Sequence, residues 1–118
     1  MKPADRLEQV SEAVRAFVVE RDWEQFHSPK NLAMALSVEA AELQEIFQWL
    51  SEAKSRKLSR QQLQAAREEL ADVFIYVLRM SQVLKIDLLD AASAKVEKNR
   101  QKYPVEKSRG SVKKYDRL

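Results

Sequence analysis

Two pairs of carboxylates stand three residues apart, Glu39 with Glu42 and Glu69 with Asp72. Residues at that spacing share one face of a helix, with Cβ atoms about 5–6 Å apart. On a helical wheel Glu39 falls inside an apolar stripe that includes Leu32, Leu36, Leu43 and Phe47, and Glu42 falls at its edge. Asp72 stands in a run, Leu70 to Met80, in which nine of eleven residues are apolar. Burying an unpaired carboxylate is costly, so acids on such faces call for a partner. If the two helices bring the pairs together, four anions repel one another and their pKa values rise. A divalent cation resolves that conflict. The chain has no Cys and one His, so the ligands are oxygens, which favours Mg2+, with Mn2+ as the alternative, over zinc. The competing reading is that these acids are solvated and paired with Lys or Arg.

Four amphipathic helices must position these groups. The first is predicted from about Pro3 to Trp23, with Leu7, Val10, Val14, Phe17 and Val18 on one face. Residues Asp22 to Pro29 break the period and form a loop. Ser28 then caps, Pro29 takes the first helical position, and a second helix runs to about Leu50. After a polar linker from Ser51 to Leu58, Ser59 and Gln62 have capping-box spacing and open a third helix to about Leu84. Asp87 can cap a fourth, to about Lys102, which Pro104 ends. No segment alternates with period two, and one Gly among 118 residues leaves little for hairpins. The expected fold is therefore all-α and four-helix bundle-like. It comprises one domain over residues 1–104 and a short extended basic tail over 105–118.

Composition narrows the functional classes. The absence of Cys excludes disulfide scaffolds and thiol nucleophiles. No apolar run reaches the length of a membrane span, and the charged start at Met1 to Arg6 suggests no secretory leader, so a cytoplasmic protein without a membrane partner is expected. The net charge of +3 divides unevenly, with +6 from Lys95 to Leu118 and −3 over the rest. A basic segment beside an acidic body suggests an anionic partner, a phosphate ligand or nucleic acid. On the fourth helix Leu88, Ala92, Lys95 and Asn99, with Tyr103 at the margin, share a face expected to turn inward, where a lysine and an amide can hold phosphate oxygens. Glu24-Gln25-Phe26-His27 has the Glu-x-x-His form of di-iron bundles. Such sites need it twice within the core, and here it occurs once, beside a loop.

The ordered set of motifs resembles a known family. Glu20 to His27 with Pro29 and Asn31 comes first, then Glu39-Ala40-Ala41-Glu42-Leu43 and Phe47-Gln48-Trp49. Glu68-Glu69-Leu70-Ala71-Asp72-Val73, Ile75-Tyr76, Lys95, Asn99 to Pro104 and Ser108 to Ser111 follow. Over about Leu7 to Tyr115 the chain is similar to the MazG-like branch of all-α nucleoside triphosphate pyrophosphohydrolases, close to the dCTP pyrophosphatase type. That resemblance implies Mg2+-dependent hydrolysis of a nucleoside triphosphate, with dCTP or a modified pyrimidine nucleotide as the candidate substrate, to the monophosphate and pyrophosphate. It assigns the metal and the catalytic step to Glu39, Glu42, Glu69 and Asp72. Phosphate or sugar contacts fall to Tyr76, Lys95, Asn99 and Tyr103. Trp23, His27 and Trp49 would shape the base pocket, and on the wheel of the second helix Trp49 lies on the same side as Glu42. Where some members carry a ligand-contacting His on the first helix, this chain has Val14.

One carboxylate not fully used as a ligand can take a proton from the attacking water, and Glu39 and Glu42 are both candidates. The nearly all-round apolar character of the third helix suggests a second subunit, and the resemblance likewise implies a homodimer or dimer of dimers. The alternative to an enzyme is a non-catalytic helical nucleotide- or nucleic-acid-binding module. That module would leave the acids on apolar faces unexplained, so nucleic acid is not the expected partner.

Overall fold

The computed structural model describes residues 5–118. Its six helices are α1 (Asp5–Glu20), α2 (Pro29–Phe47), α3 (Glu52–Ser55), α4 (Arg60–Leu84), α5 (Leu88–Lys102) and α6 (Val105–Ser108). Short 3-10 turns occupy Glu24–Phe26 and Tyr115–Arg117, and no strand occurs among the described residues. The first-turn position expected for Pro3 lies outside them. None of these helices is long and apolar enough to cross a membrane.

Side-chain caps set the helix starts. Ser28 Oγ accepts from the Asn31 N–H at 3.1 Å, with Pro29 as the first residue of α2. Ser59 and Gln62 complete a reciprocal capping box at α4: Oγ accepts from Gln62 N at 3.1 Å, and Gln62 Oε1 accepts from Ser59 N at 3.0 Å. Ser51 caps the single turn of α3, which sequence periodicity does not resolve because four residues cannot show a period.

The contacts divide the chain into two compact units, the first ending at Lys85 and the second running from Ile86 to Leu118. In the first unit α2 packs along α4, and α1 packs on α4 as well. Val14 and Val18 from α1, Leu32 from α2 and Leu78 from α4 form its buried apolar core. That core is thin. Leu63, Leu70 and Phe74 make an exposed stripe on α4, and Val10 and Phe17 remain exposed on α1. The four ion pairs among the described residues join positions at most four apart on exposed surfaces, so they contribute little to tertiary stability.

In the second unit Asp87 caps α5, its carboxylate accepting from Asp90 N at 3.0 Å. Residues 91–102 of α5 are exposed on every face. Pro104 both ends α5 and opens α6, so the segment expected to be extended contains a helical turn. Tyr103 packs edge-to-face on Tyr115 at 6.2 Å, and Lys102 Nζ lies 5.0 Å from the Tyr115 ring centroid, which ties the final turn to the end of α5.

With so thin a core, Leu32 at 1% exposure carries a large share of it. Leu32→Ala should lower the unfolding free energy by about 2–5 kcal/mol. Urea denaturation followed by far-UV circular dichroism measures this, with wild-type stability as the opposing result.

Candidate active site

The geometry joins the two carboxylate pairs across the α2–α4 interface. Oxygens of Glu39, Glu69 and Asp72 all lie within 4.8 Å of one another. Glu42, one turn along α2 from Glu39, is within hydrogen-bonding reach of both Glu39 and Glu69. Glu39 and Glu69 are half-buried, and Asp72 is exposed despite its apolar neighbours in sequence. The reason is local: Leu70, Phe74 and Ile75 beside it are exposed too, so that part of α4 faces outward in the single chain.

The electrostatics follow from crowding. Burial raises the pKa of Glu39 first, its hydrogen bond to Glu42 adds to that, and the charges of Glu42, Asp72 and Glu69 raise it further. Glu69 is raised by the same sequence of causes, burial first, with Glu42, Asp72 and finally Glu68 behind it. One Oε2 each of Glu39 and Glu69 is buried without a hydrogen-bond partner. Orphaned acceptor oxygens in an all-oxygen donor set fit a hard divalent cation, so Glu39, Glu69 and Asp72 are the residues that could hold one.

Beside this cluster lies a cavity of about 500 Å3, with Glu39 and Asp72 on its wall. Val14, Phe17 and Val18 of α1 line it together with Ile75 and Tyr76 of α4. Trp23 and His27 line it from the loop between α1 and α2. The loop is built to place them. Asp22 adopts a left-handed conformation, φ 54°, which turns the chain so that Trp23 N–H donates to Val18 O at 3.0 Å. The Trp23 ring then meets Phe17 edge-on at 5.6 Å. Asn31 Nδ2 donates to Phe26 O at 3.0 Å and fastens the loop to the start of α2.

Trp49 stands elsewhere. It is 88% exposed and does not line the cavity. Helix α2 ends at Phe47 with Gln48 as its cap, short of Leu50, so Trp49 leaves the wheel that put it on the side of Glu42. Lys95 and Asn99 belong to the second unit, where the face they share is exposed rather than inward, and Tyr103 is half-buried there. Sequence reasoning missed Arg79, which lines the cavity and is only 6% exposed. It is the one basic residue in the apolar run that drew attention to Asp72, seven residues on and so on the same face.

The comparisons place the chain in a family. The model of the MazG-like family matches residues 34–118, and the chain belongs to that family. It is 44% identical to dCTP pyrophosphatase 1 of Rattus norvegicus, over 98% of this chain and 69% of the relative. Identity to the Homo sapiens protein of the same name is 39% over the same shares. A solved pyrophosphatase from Archaeoglobus fulgidus superposes with a TM-score of 0.79 at 40% identity, covering 83% of this chain and 92% of that one.

Because Glu39 and Glu69 hold protons more tightly when folded, their stabilising contribution is present below about pH 4.5 and is lost as pH climbs through their raised folded values. Protons therefore compete with a cation for the cluster. Added Mg2+ should raise the melting temperature at pH 7, and that gain should shrink steadily towards pH 5 in differential scanning fluorimetry. A gain independent of pH would separate the cation from these carboxylates.

Proposed function

We propose that the chain is a hydrolase of nucleoside triphosphates that releases the monophosphate and pyrophosphate, with dCTP as its substrate and Mg2+ as its metal. The observation that carries this reading is the convergence of Glu39, Glu69 and Asp72, with two unpartnered oxygens, at the wall of a cavity sized for a small ligand. The substrate follows from the relatives' names, and the family from the matched model and the identities.

When bound, the cation would offset the charge of the triphosphate and polarise its oxygens. The chain's own residues do the rest. Glu39, Glu69 and Asp72 would hold the cation and so fix the phosphate end. Glu42, outside that triad but next to Glu39 and Glu69, is the carboxylate left to accept a proton. Water attacks the α-phosphorus, the bond from that phosphorus to the bridging oxygen breaks, the water's proton passes to Glu42, and pyrophosphate leaves. Trp23 offers a face on which the base stacks, and Tyr76 stands between the two ends on α4. Lys95, Asn99 and Tyr103 are retained as phosphate or sugar contacts on the strength of the resemblance alone. A second copy of the chain covers the exposed stripe of Leu63, Leu70 and Phe74, which a single layer of short helices leaves uncovered. The nucleic-acid alternative accounts for the basic C-terminal segment and leaves the cluster without a purpose.

Chromatography of the products of dCTP hydrolysis tests the reaction. The monophosphate is expected, and a diphosphate would refute the reaction class. Asp72→Asn should abolish turnover while keeping the helical spectrum, and wild-type-like activity would remove Asp72 from the metal site. Trp23→Ala should raise KM by about 5- to 150-fold, the worth of one base stack, with a smaller change in kcat. Trp49→Ala should leave KM near wild type. The reverse pattern would shift the base to Trp49.

A further inference from the structure

The long-range polar contacts of the first unit form one chain. Among the described residues, side-chain hydrogen bonds between distant elements come from Arg79 and Gln82 alone. Gln82 Nε2 donates to the carbonyl of Ser11 at 2.7 Å and to its Oγ at 2.8 Å. Its Oε1 accepts from Arg79 Nη1 at 2.9 Å. Arg79 Nε donates to His27 Nδ1 at 2.9 Å. An arginine Nε always carries its hydrogen, so Nδ1 of His27 can only accept, and the neutral ring carries its proton on Nε2.

We propose that Arg79 is a positioning residue for nucleobase selection: it locks His27 as a neutral Nε2–H donor, and the pair forms a wall that recognises a base through its ring-nitrogen and carbonyl acceptors. This rests on the nucleotide hydrolase reading above. Three observations support it. Both side chains line the cavity, and Arg79 is almost fully buried without an acidic partner in ion-pair distance among the described residues. The pair supplies donors and no free acceptor, since the one acceptor nitrogen is already occupied. Asp72, Tyr76 and Arg79 follow one face of α4, and seven residues of helix put about 10 Å between the metal end and Arg79. That separation suits a nucleoside lying between its α-phosphate and its base edge. Cytosine, with adjacent N3 and O2 acceptors, matches a donor wall.

The charged groups around the pair favour the neutral ring. Burial first, and the Arg79 charge second, hold the His27 pKa below its ordinary 6.5. Arg79 is itself lowered mainly by burial, opposed by Glu24 in the loop and reinforced by Arg15 on α1. Glu39 and Asp72 line the same cavity as His27.

The chain has one histidine, so 15N NMR of the ring nitrogens in the metal-free protein reports His27 without assignment. The wild type should show the Nε2–H form alone and stay neutral below pH 6.5. Arg79→Met should give mixed tautomers titrating near the ordinary value. A wild-type ring that already titrates there, or one that Arg79→Met leaves unchanged, would overturn the proposal. In kinetics Arg79→Met should raise KM for dCTP about tenfold, with a smaller fall in kcat. His27→Gln should match it, and the double variant should be no worse than either single one. Inhibition by tripolyphosphate, which has no base, should be unchanged in all three. Additive losses, or weaker tripolyphosphate inhibition, would mark a general structural role. Should Arg79→Met fail to fold, Arg79→Leu, which likewise removes both the charge and the Nε–H, should show the same ring behaviour. A wild type that hydrolyses no triphosphate would defeat the hydrolase reading, while the ring spectra would still decide whether Arg79 holds His27.

Discussion

The repulsion among carboxylates gathered between α2 and α4 is the constraint around which the first unit is organised. Apolar packing of α2 along α4 draws Glu39 and Glu69 partly out of water, and the same contact sets Glu42 and Asp72 beside them. Neither helix can relieve the crowding by rotating, because rotation would expose Leu32 or Leu78. The chain therefore keeps an arrangement that is unfavourable by itself, and two carboxylate oxygens stay without partners. Crowded acceptors of this kind fit a counter-charge.

Little else in the unit resists deformation. Among the described residues its ion pairs are local and wet, its core is four aliphatic side chains, and its long-range side-chain hydrogen bonds reduce to the Ser11–Gln82–Arg79–His27 series. That series does for the loop what packing does for the helices. A loop held only by the Asn31 clasp and the left-handed turn at Asp22 would position Trp23 but not the ring of His27. Adding the guanidinium fixes the ring as well.

The helices were legible because their signals are local. Ser28 with Pro29, Ser59 with Gln62, and Asp87 each set a start that the geometry reproduces. The carboxylate site was legible because acids on apolar faces violate a strong preference. Arg79 obeyed the same rule and escaped notice, since a long cationic side chain is usually assumed to reach solvent. Helix α2 ends three residues before the expected Leu50, and Trp49 lies past that end: a wheel cannot reveal where α2 frays, and beyond Phe47 the angular argument loses its meaning. The inward face assigned to α5 failed for a different reason. A hydrophobic pattern tells which residues share a side, but not whether anything covers that side, and residues 91–102 are exposed throughout.

Helix α4 carries Glu69, Asp72, Tyr76 and Arg79 on one unbroken element, without a glycine or proline between them. Inserting or deleting a single residue there would turn everything beyond it by about 100° and shift it by about 1.5 Å. The carboxylates and the guanidinium would then face different sides of the molecule. The stretch between Gln48 and Ser59 has no such obligation, for it is mostly exposed and spans the gap between two capped helices. Length changes during divergence or engineering are thus absorbed between α2 and α4, whereas the span from Glu69 to Arg79 admits substitution but not a change of length.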